Sequence, residues 1–337
     1  MIFRGSIFRD LYDLARLPWF SVESGRLVVS DRATVGEIID MHSHLALAYV
    51  RPMQLDLYRE GPATEHYLPS CCAFDLDVYI NRNFTKEQLR RLERDLTLGS
   101  LGRGGMRATH TVPNLTREMD ELGVIHSVIL PIDFPYISDN AGVAAEAARR
   151  DAHILAYGSV HPYSSRLGER LDAQAHAGAR GVKMHPNVQS VRPDNARAME
   201  LYRLCGERGM PILWHCGPVG IEPALGRYLS QVRHYEKPIA ENPRTTFVLG
   251  HSGALQFEQA LALCNKYENV YMETSSQSLT NVRAMVTGAR PDRVVFGSDW
   301  PFYHQAIPLA KVLLATEDAL DARRRILSGN AARLLGL

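Results

Sequence analysis

His42 and His44 stand two residues apart at the end of an apolar run, residues 35–41. Side chains alternate faces along a strand, so residues spaced i and i+2 point the same way. Two imidazoles at one strand tip can therefore bind a single metal ion without bending the backbone. Four more residues able to ligate a metal or move a proton, Lys183, His215, His251 and Asp299, each fall at the end of a strand-like run of their own. A divalent ion held by imidazole and carboxylate, with one position open, makes a hydrolytic centre, because it lowers the pKa of bound water and polarises a carbonyl oxygen. His42, His44 and one more histidine would hold the ion. Asp299 can ligate it and accept a proton from the attacking water. His251 remains as a second general base or as a ligand to a second ion. Lys183 has alternatives: an ammonium cannot ligate, and beside a metal it must be deprotonated, modified, or paired with an anion such as Glu273 or a substrate carboxylate. His185 lies two residues beyond Lys183 on the same face and is a candidate for substrate contact, as are Arg51 and Trp300.

These residues need elements to position them. The β-branched and apolar runs at 35–41, 124–131, 154–160, 179–184, 211–214, 245–249, 270–273 and 294–296 predict eight strands. Helical segments lie between them at 140–150, 165–177, 194–208, 223–236, 255–266 and 279–288, with Asp194 as an N-cap and glycines as stops. Strands alternating with helices imply a parallel sheet, and eight such strands close a (β/α)8 TIM barrel, whose catalytic groups gather where the strands end. The candidate ligands occupy those ends. Residues 45–118 separate strands one and two, far more than an ordinary βα loop, and are expected to cap the C-terminal mouth. Residues 1–34 are expected to form an N-terminal cover. The expectation is one domain over 1–337.

Composition narrows the function classes. With 337 residues, 45% hydrophobic content and a formal net charge of +1, the chain reads as a globular enzyme, with no electrostatic case for nucleic acid or an acidic membrane. No apolar run reaches the length of a membrane span. Arg9, Asp10 and Asp13 interrupt any signal-peptide pattern, and five cysteines without paired spacing fit reduced thiols, so a cytoplasmic location is expected. The partner expected is a small-molecule substrate; self-association into a homo-oligomer is open.

The local texts around the candidates are Ile39-Asp40-Met41-His42-Ser43-His44, Gly181-Val182-Lys183-Met184-His185-Pro186, Ile212-Leu213-Trp214-His215-Cys216-Gly217, Leu249-Gly250-His251-Ser252-Gly253 and Phe296-Gly297-Ser298-Asp299-Trp300-Pro301. In that order they resemble the amidohydrolase superfamily, and most closely its amidohydrolase 2 branch, which includes non-oxidative decarboxylases. The resemblance covers about 40–44 and 120–337. It implies one divalent ion, usually zinc, held by His42, His44, His215 and Asp299, with His251 as base. In a binuclear variant Lys183 would be carbamylated and bridge two ions, with His215 and His251 on the second. The mononuclear form is favoured, because His185 and Glu273 offer Lys183 other partners. The leading expectation is a metal-dependent hydrolase of an amide, ester or lactone. The first alternative is a decarboxylase of an aromatic or unsaturated acid, and the second a non-catalytic metal-binding barrel.

Overall fold

The computed structural model describes residues 5–49, 51–134 and 137–337. Eight strands form the frame: β1 (Ile38–Ser43), β2 (Val124–Ile129), β3 (Ile154–Ala156), β4 (Val182–Met184), β5 (Ile212–His215), β6 (Phe247–Gly250), β7 (Val270–Glu273) and β8 (Val294–Val295). Strands β1 to β3 pair in parallel, and so do β4 to β8. Two seams join the sheets. Between β3 and β4 a parallel bridge links Gly158 to Val182, and Lys183 N donates to Gly158 O at 2.8 Å. Past β8, Met41 N donates to Phe296 O at 2.9 Å and His44 N to Trp300 O at 2.7 Å, beside a parallel bridge from Ser43 to Trp300. The fold is α/β, a TIM barrel.

Packing explains the polarity of the strand ends. Ile39, Met41, Val128, Tyr157, Leu213, Val248, Tyr271 and Val295 form an inner cluster, plugged by Ala331 and Leu335 of the last helix. Residues of opposite parity, such as Ile212, Trp214, Phe247, Val270 and Met272, join the outer core under the helices. Trp214 stacks on Phe247 there, with centroids 4.2 Å apart. The next residue on the inward row after Leu213 is His215, and after Tyr271 it is Glu273; each row turns polar at its C-terminal end.

Three expectations shift. The first strand runs over Ile38–Ser43 rather than 35–41, because Asp31 caps a short helix at Arg32–Val35 that Gly36, at φ +84°, terminates. His42 is thus inside β1, where the register against β2 is irregular between Asp40 and Ser43; such irregularities re-aim side chains that strict alternation would send outward. The helix expected over 223–236 is broken into Ala224–Leu229 and a 3-10 turn at Val232–His234. Asn195, not Asp194, caps the helix Ala196–Glu207, and Asp194 instead pairs with Arg192.

Residues 45–118 carry one long helix, α1 (Lys86–Leu96), with a Thr85–Gln88 capping box. Leu68 N donates to Phe302 O at 2.9 Å, Ile80 N to Ser276 O at 2.9 Å, and Asn81 Nδ2 to Val219 O at 2.9 Å. Those partners all lie beyond strand C-terminal ends. A second helix, α2 (Val112–Leu122), leads into β2. Among the described residues no helix is long and apolar enough to cross a membrane.

Candidate functional site

Two histidines on β1 and beyond it are oriented from behind. His44 Nδ1 donates to the Leu130 carbonyl at 2.7 Å, and His42 Nδ1 to Glu273 Oε2 at 2.9 Å. Each bond fixes the tautomer that leaves Nε2 as a lone pair. Both Nε2 atoms face one oxygen: Asp299 Oδ1 is 3.6 Å from His42 Nε2 and 3.5 Å from His44 Nε2. Three acceptor atoms this close call for a cation among them; the Lys183 amine, 3.4 Å from His42 Nε2, reaches one of the three. Ligand bonds of 2.0–2.2 Å in a tetrahedron separate neighbouring ligand atoms by about 3.4 Å. The observed spacing and the N, N, O donor set fit a divalent ion.

The surrounding groups tune this centre. Burial pushes His42, His185 and His251 well below the ordinary histidine value and His215 down to about 3, so all four rings are neutral. Burial raises the Asp299 carboxyl, opposed by His44 and Lys183. His251 Nδ1 lies 2.8 Å from Ser275 Oγ and 4.0 Å from Asp299 Oδ2. His251, Ser276 and Asp299 hold φ values of +56°, +64° and +64°, a conformation unfavourable for side-chain-bearing residues that clusters where function demands a fixed geometry. Gly297 is required nearby, since a Cβ there would lie 2.1 Å from Glu273 Oε1.

The other expected residues are distributed unevenly. Lys183 is buried with Nζ 3.4 Å from His42 Nε2, and burial lowers it to about 8 against the pull of Asp299 and Glu273. The direct pairing with Glu273 is not made, because Glu273 is engaged by His42, by the His251 backbone N–H at 3.0 Å and by Ser275. His215 is outside the three-atom set formed by His42, His44 and Asp299. Its ring instead stacks on His185, 4.0 Å away and nearly parallel, and meets His251 edge-on at 4.9 Å. Trp300 is fully buried, and its indole N–H donates to Glu118 Oε2 at 3.2 Å, which leaves it no free polar atom to offer a substrate. Arg51 is half-buried with Nε unpartnered among the described residues, and its charge is felt by Arg107 of the long insertion.

Sequence reasoning missed two supporting carboxylates. Asp40 is wholly buried. It accepts from His42 N at 3.0 Å, Ser43 Oγ at 2.9 Å, Ser298 N at 2.8 Å and Gln305 Nε2 at 2.7 Å, tying β1 to the segment that carries Asp299. Its position directly before Met41-His42 was the available signal. Glu118 on α2 forms a second buried cluster with His66 and His304. It accepts from His66 Nε2 at 3.0 Å and from Gln305 N at 2.7 Å besides Trp300. His304 Nδ1 already accepts from Ala306 N at 3.1 Å. With its acceptors occupied, this cluster is a hydrogen-bonded hub joining the insertion to the β8 loop.

Comparison with known proteins follows this geometry. No curated protein matches the chain by sequence. A TIM-barrel protein of Bordetella bronchiseptica is similar in structure, with a TM-score of 0.63 at 18% identity, covering 89% of this chain and 99% of that one. A probable 2-pyrone-4,6-dicarboxylic acid hydrolase of Acinetobacter baumannii gives 0.55 at 13% identity over 89% and 99%. A 5-carboxyvanillate decarboxylase of Novosphingobium aromaticivorans, complexed with manganese, gives 0.55 at 15% identity over 88% and 99%. These likenesses establish the fold. A sequence profile described as Amidohydrolase matches residues 39–337, from β1 to the C-terminus. The chain therefore belongs to the amidohydrolase family, and it is an enzyme.

Proposed function

We propose that this enzyme is a metal-dependent hydrolase of a small carbonyl compound, an amide, ester or lactone. The observation that carries the reading is the convergence of His42 Nε2, His44 Nε2 and Asp299 Oδ1 beside a neutral His251. Zinc, which suits two imidazoles and a carboxylate, would be held by those three residues, with His251 the imidazole beside them and His215 beyond it, and when bound it supplies Lewis acidity to a carbonyl oxygen and acidity to water. Asp299 Oδ2 takes the proton released by the attacking water, and His251, whose Nδ1–H is given to Ser275 Oγ, offers its Nε2 as the next acceptor. Residues 45–118, bonded to the loops after β5, β7 and β8, act as a cap that limits water at the site.

A second reading is decarboxylation of an aromatic or unsaturated acid. It is favoured by the raised Asp299 carboxyl, which can hold a proton for delivery to a carbon atom, and by the decarboxylase among the similar structures. The experiment is to assay zinc- and manganese-loaded protein against esters, amides, lactones and hydroxybenzoates, with Asp299→Asn as control. Acid release by wild type, lost in the variant, supports hydrolysis. Carbon dioxide release identifies the second reading, and no turnover of any class removes both.

A further inference from the structure

Glu222 follows β5 on the loop that precedes the helix Ala224–Leu229. It is 7% exposed, and neither carboxylate oxygen has a hydrogen-bond partner among the described residues. An ionised carboxylate removed from water without a donor is strongly unfavourable, and native chains keep few such groups. The loop that carries it is fixed: Asn81 Nδ2 donates to Val219 O, and Gly217, at φ +83°, approaches Gly253 so closely that a Cβ would lie 1.9 Å from its carbonyl oxygen. Tyr79 of the insertion is buried beside this loop. Its hydroxyl is raised chiefly by burial and further by the charges of Asp299 and Glu222. Glu222 thus stands at the C-terminal mouth, under the insertion, with two acceptor atoms unused.

We propose that Glu222 is a substrate-recognition residue that accepts a hydrogen bond from a protonated amine on the substrate. This rests on the hydrolase reading only in taking the mouth above Asp299 as the substrate site. A cationic donor fits better than a neutral hydroxyl, since charge-assisted bonds to a buried carboxylate are about twice as strong as neutral ones. The substrate class is then a small carbonyl or carboxyl compound that also bears an amine.

Two measurements on the full chain test this. Benzylamine, protonated at neutral pH, and benzyl alcohol, its neutral isostere, are titrated against wild type and Glu222→Gln. Wild type should bind the amine at least about tenfold more tightly, and the preference should fall to within about twofold in the variant. Equal affinities in wild type, no binding of the amine, or a preference that survives in Glu222→Gln overturn the proposal. Without ligand, Glu222→Met should melt about 2 °C or more above wild type, because it removes two buried polar atoms that have no partner among the described residues. A lower melting temperature means Glu222 is structural and also overturns it. If the amine preference depends on Glu222 while no ester, amide, lactone or hydroxybenzoate is turned over, the recognition site stands and the hydrolase reading falls.

Discussion

Glu273 Oε2 accepts from His42 Nδ1 at 2.9 Å and from the His251 backbone N–H at 3.0 Å. One carboxylate on β7 thereby sets the ring of a β1 ligand and the loop after β6. Outer partners of this kind orient a ligand and raise its basicity. Glu273→Gln should therefore weaken metal affinity by about 10- to 100-fold with little loss of fold. Competition against a chelator of known affinity reads this directly; an unchanged dissociation constant would mean that His42 is aligned without Glu273.

His251 touches Asp299 only at 4.0 Å and is held by Ser275. That arrangement suits a proton carrier better than a primary ligand. His251→Ala should keep its metal and lose turnover by about 10²- to 10⁴-fold, the usual contribution of a general base. Metal content and kcat measured on the same preparation decide the matter, and loss of the ion would assign His251 as a ligand.

Much of the frame was legible because each strand is a short β-branched run closed by Gly, Pro or a polar residue, and because the inward row turns polar at its end, as at His215 and Glu273. The start of β1 was misplaced because Val35 is apolar but belongs to a helix capped by Asp31. The helix after β5 was drawn too long, since its periodicity runs through Ser230 and Gln231, where the chain turns. Trp300 is a candidate for substrate contact by residue type; its indole N–H is instead given to Glu118, which no local pattern connects to it. Glu222 escaped for the same reason, and Asp40 offered only its place before Met41-His42. A carboxylate's role depends on which donors the tertiary fold brings to it, and spacing along the chain carries no record of that.

Asp40 tests whether the site's backbone depends on one buried carboxylate. It accepts five hydrogen bonds spanning β1, the Ser298 turn and Gln305. Asp40→Ala strands those donors and should destabilise the protein by about 3 kcal/mol or more, since each buried unpaired group costs about 1–3 kcal/mol. Urea denaturation of both proteins measures it; a loss under about 1 kcal/mol would show that the donors find other partners.

Lys311, in the helix Ala306–Ala315, is buried and donates to Gln277 O at 2.6 Å. Burial lowers it from 10.5 to about 7, against the pull of Asp75 and Asp77. Between those two values the unfolded chain holds a proton that the folded protein has released, so this residue makes stability rise with pH across the window. Below about pH 7 its penalty is fully present, and near pH 10.5 it vanishes. Lys311→Met lacks this dependence. Wild type should therefore gain stability relative to the variant as pH is raised from 7 toward 10, and melting curves showing a constant gap would refute the assignment.

Lys183 separates one-metal from two-metal chemistry. Its Nζ is 3.4 Å from His42 Nε2, and burial holds it at about 8, so a substantial neutral fraction exists at mildly alkaline pH. A neutral amine can take up carbon dioxide and become an anionic bridge between two ions. A retained ammonium instead competes with an ion for the same His42 lone pair. The mononuclear outcome is expected, because His42, His44 and Asp299 converge as one three-atom set, the neighbouring group of His42, His251 and Glu273 is closed by hydrogen bonds to Glu273, and His215 faces His185. Lys183→Ala should then keep one metal equivalent per chain and bind it at least as tightly as wild type, since a competing cation has been removed. Metal counting with and without added bicarbonate checks this. A variant that loses one equivalent, or a wild type that takes up a second ion only with bicarbonate, would establish the carbamylated, two-metal form.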